Sequence, residues 1–211
     1  MSRLYEKKEH SVETIVLPPA QGYQGLALGQ AIERRRSVRR FSETPLSLEE
    51  LSILLRYSAG ITDPTYELRA APSAGALYPL ELYLVLHNVA GLPRGVYRYL
   101  PQEHSLEKVR EGDLREEMVR SGRGQRFLGR CNLAVALVAV WESILRRYGE
   151  RGRQYTFLEA GHIAQNISLV AASLGLGACA IGAYSDDEVN RLLGRDGAQE
   201  GVVYIMAVGK T

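Results

Sequence analysis

The residues best placed to do chemistry open with RRRSVRRF, Arg34 to Phe41, five arginines and a serine at the expected end of a helix. Guanidinium forks and a hydroxyl so grouped can clamp a phosphate monoester. A solvated basic face or a nucleic-acid patch would use the same residues. Against nucleic acid stand a formal charge of only +2, from 26 basic and 24 acidic side chains, and arginines with no interleaved aromatics. A second stretch, Pro72, Ser73, Ala74 and Gly75, is a small-residue loop before an apolar run. Such a loop lets backbone approach a flat ligand, or simply makes a tight turn. In a third, Gly182 and Ala183 stand between a strand and a helix N-terminus, where backbone amides can face an electron-rich atom.

Metal and dinucleotide chemistry find no support. No GxGxxG, GxxxxGK[ST] or HExxH occurs, His10, His87, His104 and His162 are scattered, and Cys131 and Cys179 lie far apart. His162, on a mostly apolar helix, reads as a core histidine. Two lone cysteines and no apolar run of signal-peptide or membrane-spanning length predict a soluble cytoplasmic protein.

These segments need elements to position them. The pattern predicts a helix through ALGQAIERRRS and another after a Ser47–Glu50 capping box, ending at Gly60. Strands are expected at Leu80–Leu86, on both sides of the turn in GVYRYLPQEHSLEKV, at 132–141 and in VVYIMAVG. A short helix should open at Asp113 with Glu116, a long central one should run through TFLEAGHIAQNISLVAASLG, and a third should follow a Ser185–Glu188 capping box and close at Gly194. Strands and helices mix without strict alternation, so the class is α+β or mixed α/β. Pro18, Pro19, Gly22 and Gly25 punctuate residues 1–27, which read as an N-terminal extension to one domain over 28–211.

Taken in order, RRSVRRF, PSAGALYPLELYLV, RRYGERG, LEAGHIAQNISLVAASLGLGACAIGAY and a terminal VGK resemble the FMN-dependent nitroreductase superfamily, and within it the SagB-type dehydrogenase branch. The likeness runs from about Ala31 to Lys210. It implies an α+β sandwich with a mainly antiparallel central sheet flanked by helices, an intertwined homodimer, and two FMN molecules at the subunit interface. By matching position, Arg35, Arg36, Ser37 and Arg39 would hold the FMN phosphate and ribityl chain, joined by Lys210. Pro72, Ser73, Ala74 and Gly75 would reach over the flavin from the partner subunit. Gln125 would hydrogen-bond the pyrimidine end of the ring, and Gly182 and Ala183 would face its N5 atom. The implied activity is ping-pong hydride transfer between NAD(P)H, or a reduced substrate, and a small-molecule or peptide-derived acceptor.

Two departures qualify that activity. SAGALYPL stands where general nitroreductases tend to carry SSxNxQPW, so nitroaromatic reduction is not the default. The branch that oxidises peptide azolines typically has a Lys-Tyr pair before its GxRG segment, whereas here the pair is Arg147 and Tyr148. Arginine stays protonated and cannot act as a base, which weakens azoline oxidation specifically. Tyr148 could still serve as acid or base and Arg147 could steady an anion, unless Arg147 is only a surface partner of Glu150 or Glu142. The substitution also permits a flavoprotein that has become a binding subunit of a biosynthetic complex.

Overall fold

In the computed structural model, which describes residues 13–211, the first half of the chain forms β1 (Thr14–Val16), α1 (Leu28–Arg34), α2 (Leu48–Ala59), β2 (Ile61–Asp63), β3 (Leu68–Arg69), β4 (Leu80–Leu86), β5 (Gly95–Leu100) and β6 (Ser105–Glu111). There follow α3 (Arg115–Ser121), β7 (Leu133–Val140), α4 (Trp141–Tyr148), α5 (Arg151–Ser173), β8 (Gly177–Ile181), α6 (Asp186–Leu193) and β9 (Glu200–Gly209). Seven strands make one antiparallel sheet in the order β1-β6-β5-β4-β7-β9-β8, with β2 and β3 a separate hairpin. The α+β architecture is as the sequence predicts.

β7 lies at the centre because LAVALVAV offers apolar side chains to both faces. Its period of two sends Leu133, Val135, Leu137 and Ala139 into a cluster with Leu51, Leu54 and Leu55 of α2 and Ile163 and Ile167 of α5. Ala134, Ala136 and Val138 point the other way, into Met118 of α3 and Val189, Leu192 and Leu193 of α6. Helices thus cover both faces, and α5 crosses the first of them.

Local signals decide some boundaries and lose others. The Ser47–Glu50 capping box forms in both directions, Glu50 N donating to Ser47 Oγ at 3.1 Å and Ser47 N to Glu50 Oε2 at 2.9 Å. The one expected at Ser185 does not form: Ser185 makes no side-chain cap, and its amide donates instead to Ser121 O at 2.8 Å. Asp186, Asp187 and Glu188 in the first turn answer the helix dipole there. α1 ends at Arg34, short of Ser37, because the chain turns extended to bridge β8: Ser37 pairs with Ala178, and Val38 N donates to Ala178 O at 2.9 Å. α5 starts at Arg151, five residues before the expected Thr156, and α4 was not expected at all.

Of the extension expected over 1–27, residues 1–12 lie outside the described residues. The remainder packs back on the domain, with β1 pairing β6 and Leu17 and Ala20 buried. Among the described residues no helix is long and apolar enough to cross a membrane. Both cysteines are buried and unbridged, and burial pushes the Cys131 thiol up to about 12.

Candidate functional site

The expected site residues fall into three groups. The first surrounds a pocket of about 170 Å³ between the segment after α1, the middle of α5 and the edge strand β8. Arg35 and Ser37 line it with Gly161, Ala164, Gln165, Ser168, Ala178, Ala180 and Tyr204. The bridge from Ser37 to Ala178 fixes this wall, which is why both residues face the groove. Among the described residues, none of the five arginines of 34–40 pairs with a carboxylate. Arg36 is turned away, its Nη1 donating to the carbonyls of Glu33 and Arg35 at 2.7 Å and so capping α1. Arg39 stands close enough to Cys179 for its charge to offset part of the burial that raises that thiol. Lys210 is held elsewhere, with Nζ on Glu50 Oε1 at 2.5 Å and its amide on Asn132 Oδ1 at 2.7 Å.

The second group is Gln125 with the β8–α6 turn. Gln125 Nε2 donates to Ala183 O at 2.8 Å and to Gly122 O at 2.9 Å, which ties the turn to the end of α3. Gly182 and Ala183 are exposed, and a Cβ at Gly182 would meet nothing within 4 Å.

The third group joins Pro72–Gly75 to Arg147 and Tyr148. A Cβ at Gly75 would lie 2.6 Å from the Tyr148 hydroxyl and 3.3 Å from the Arg147 guanidinium carbon. Tyr148 is braced edge-on by Tyr155, with ring centroids 5.2 Å apart. The surface pairings open to Arg147 are taken by its neighbours, since Glu142 binds Arg146 at 3.6 Å and Glu150 binds Arg153 at 2.9 Å. Its guanidinium lies instead 5.6 Å from the Tyr148 ring centroid.

The close approach at Gly75 carries a prediction. Its φ of 62° lies where an L side chain is resisted, so Gly75→Ala should cost about 1–3 kcal/mol. Part of that loss should return in a Tyr148→Phe background, where the obstructing hydroxyl is gone. A double-mutant cycle by urea unfolding measures the coupling, and strict additivity would disprove the contact.

Behind the loop is a residue that the motifs did not single out. Glu159, on the inner side of α5, is 3% exposed. Burial pushes its carboxyl up to about 7, with the Ser73 hydroxyl and the charge of Arg69 opposing the rise. Gln165, Ser168 and Tyr204 were missed as well. The legible signal for α5 was its small and polar face, with Gly161, Ala164, Gln165 and Ser168 at helical spacing. His162, expected in the core, is exposed on the same helix as Phe157 and Leu158, which are 54% and 62% exposed.

A larger hollow of about 570 Å³, lined by His87, Arg94, Arg115 and Arg130, holds none of the candidate residues. There Arg94 and Arg115 are already neutralised by a shared Asp113 at 2.8 and 2.5 Å. Among the described residues no cluster of His, Cys, Asp or Glu is arranged to hold a metal.

Known proteins resemble this chain along most of its length. A profile of the nitroreductase family matches residues 32–210. A protein of Methanocaldococcus jannaschii provisionally named a nitroreductase is 38% identical over 80% of this chain and 84% of its own. The microcin B17-processing protein McbC of Escherichia coli is 32% identical over 72% of this chain, which spans 57% of that protein. Among solved structures, a nitroreductase-like protein of Ralstonia eutropha superposes with a TM-score of 0.83 at 29% identity, covering 94% of this chain and 89% of the other. A chain of the E. coli microcin synthetase McbBCD complex, solved with truncated pro-MccB17 bound, gives 0.73 at 27% identity, covering 90% and 76%.

Proposed function

Because the chain belongs to the nitroreductase family, in its SagB-type branch, we propose that it is an FMN-dependent oxidoreductase working as a homodimer with the cofactor at the subunit interface. One observation carries this reading: Arg35 and Ser37 face a groove walled by the small residues Gly161, Ala164, Ser168, Ala178 and Ala180 together with Gln165 and Tyr204, and among the described residues no carboxylate pairs with that guanidinium. An arginine beside a hydroxyl, on a wall rich in small residues, fits a phosphate attached to a planar ring.

Bound FMN would supply hydride acceptance and donation at N5. Arg35 and Ser37 hold its phosphate, and Arg39 adds positive potential nearby. Lys210 joins them by exchanging Glu50 for the phosphate, a trade between two anionic partners. Gln125 holds the Gly182–Ala183 turn at the reactive edge, where the open space at Gly182 admits a ring. Pro72–Gly75 closes the site from the partner subunit, because within one chain this loop packs on Arg147 and Tyr148 and not on the Arg35 groove. NAD(P)H is the proposed donor, and small electrophiles or peptide-derived groups are the proposed acceptors. A guanidinium does not serve as a base near neutrality, so any proton removal in the cleft falls to Tyr148 or to another group.

The test is the absorbance of the purified protein and the identity of its released chromophore. FMN is expected, and Arg35→Ala should lower flavin affinity about 10- to 100-fold, the size of one charge-assisted contact. A protein that stays colourless after incubation with FMN, or undiminished affinity in Arg35→Ala, would overturn the reading. Arg147 in place of lysine, together with the likeness to a synthetase complex chain, favours one other role: a flavin-bearing binding subunit. Retained FMN without turnover would distinguish it.

A further inference from the structure

At one end of the sheet β4 and β5 part. Their ladder runs from the Leu86–Gly95 pair to the Tyr83–Arg98 pair and stops, although β4 begins at Leu80 and β5 continues to Leu100. Each strand stays with its other neighbour, Leu80 pairing with Ala139 of β7 and Leu100 with Ser105 of β6. The sheet is therefore notched, and a cavity of about 250 Å³ lies between the two lips, walled by Tyr78, Tyr99, Leu100 and Pro101 with Arg69 and Glu81.

Arg69 is half-buried there, its guanidinium standing over the Tyr78 ring at 4.6 Å from the centroid. Among the described residues no carboxylate pairs with that guanidinium, and it donates no hydrogen bond. By contrast, the half-buried Arg98 holds Glu107 at 2.6 Å and Glu81 at 3.4 Å, and Arg195 holds Glu200 at 2.8 Å. A guanidinium drawn partly out of water with its donors unused is costly, and a purely structural arginine avoids that cost. The tyrosine face fixes the plane of the group and leaves its forked edge for a ligand. The other polar groups of the cavity are engaged: Glu81 accepts from the Tyr83 hydroxyl at 3.1 Å and faces Arg98, while the Tyr99 hydroxyl meets His104 Nδ1 at 2.8 Å.

We propose that this notch is a carboxylate-binding subsite, in which Arg69 receives the anionic end of a ligand and Tyr78, Leu100 and Pro101 cover a short apolar body. A single fork matches the two oxygens and one charge of a carboxylate, whereas a phosphate dianion would leave charge unmatched beside Glu81. The strand edges facing each other across the notch offer backbone donors and acceptors, which suits the terminal carboxylate of a peptide as well as a free organic acid. Tyr78 ties the subsite to the proposed chemistry, since its amide donates to Ser73 Oγ of the Pro72–Gly75 loop at 3.0 Å. The ligand's role as substrate rests on that loop facing the cofactor, as in the proposed function; its capture by Arg69 does not.

Calorimetric titration of the purified protein with 3-phenylpropionate and with the tripeptide glycyl-alanyl-phenylalanine, each against its amide, tests the subsite. The acids should bind about 10- to 100-fold more tightly than the amides, the size of one charge-assisted contact. Arg69→Gln should erase that preference, and Arg69→Lys, which keeps the charge without the fork, should retain part of it. Both variants keep the bond to the Tyr78 hydroxyl, which comes from the Arg69 backbone amide at 3.1 Å. Tighter binding of the tripeptide identifies a peptide terminus as the source, and tighter binding of 3-phenylpropionate a free acid. Acids and amides that bind alike in the parent, no binding of either acid, or an acid preference untouched in Arg69→Gln overturns the proposal. FMN uptake is assayed separately by absorbance, so acid preference in a chain that takes up no FMN supports the subsite and refutes the cofactor reading alone.

Discussion

Leu158→Glu is expected to yield a folded monomer that no longer retains flavin. Leu158 is 62% exposed and Phe157 54% exposed near the middle of a 23-residue helix whose opposite face is fully packed. Leu28 and Ile32 of α1, which packs beside α5, are exposed at 69% and 54% and extend the same apolar character. Gly161, with open space where a Cβ would be, would admit a second helix at close range. Covering a large apolar side chain contributes about 1.5–3 kcal/mol, and a two-fold axis uses each residue twice. A buried carboxylate in its place costs more than the lost burial. Together these raise the dimer dissociation constant at least a thousandfold, since 1.4 kcal/mol is about tenfold. The fold should survive, because Leu158 belongs to neither core cluster. Sedimentation at micromolar concentrations, read by flavin absorbance, checks the outcome. A flavin-loaded dimer in the variant would refute the assigned interface.

Glu159→Gln should make the chain more stable at pH 8 than the parent, by up to about 3 kcal/mol, and equally stable near pH 4.5. The sign follows from proton binding. Glu159 titrates at about 7 when folded against 4.5 as its ordinary value. Between those values the folded chain holds a proton that the unfolded chain has released, so stability falls as pH rises through the interval. The penalty is absent below about 4.5 and complete above about 7, at about 1.4 kcal/mol per pH unit. His87 runs the other way. Its buried ring, with Nε2 on Leu128 O at 3.0 Å, is lowered to about 4 from 6.5, so its contribution is present above 6.5 and lost as pH falls toward 4. The opposing trends make the difference between parent and variant the informative quantity, taken from urea unfolding at several pH values. A difference independent of pH would show that Glu159 is ionised throughout.

The features legible from the order of residues alone lie within a turn or a strand. Ser47 and Glu50 sit three residues apart, so their reciprocal cap needs nothing distant. LAVALVAV predicts a central strand because alternation along one segment already supplies two apolar faces. The ordered motifs from RRSVRRF to VGK carry the family, and with it the expectation of where Arg35, Ser37, Gly75 and Gly182 would be used.

Tertiary structure decided the rest. Ser185 satisfied the same capping pattern as Ser47, yet Ser121 O claimed its amide. Arg36 turned onto the end of α1 while Arg35 faced the groove, a choice set by how Ser37 meets β8. Lys210 and Glu50, 160 residues apart, met only through folding. Glu159 reads in sequence as one more acidic residue of a helix, and becomes distinctive only when the fold buries it to 3% exposure. Caps and periodicity are short-range properties of the backbone, legible from neighbours. The state of a charge depends on which surfaces exclude water from it, and those surfaces come together only in the folded chain.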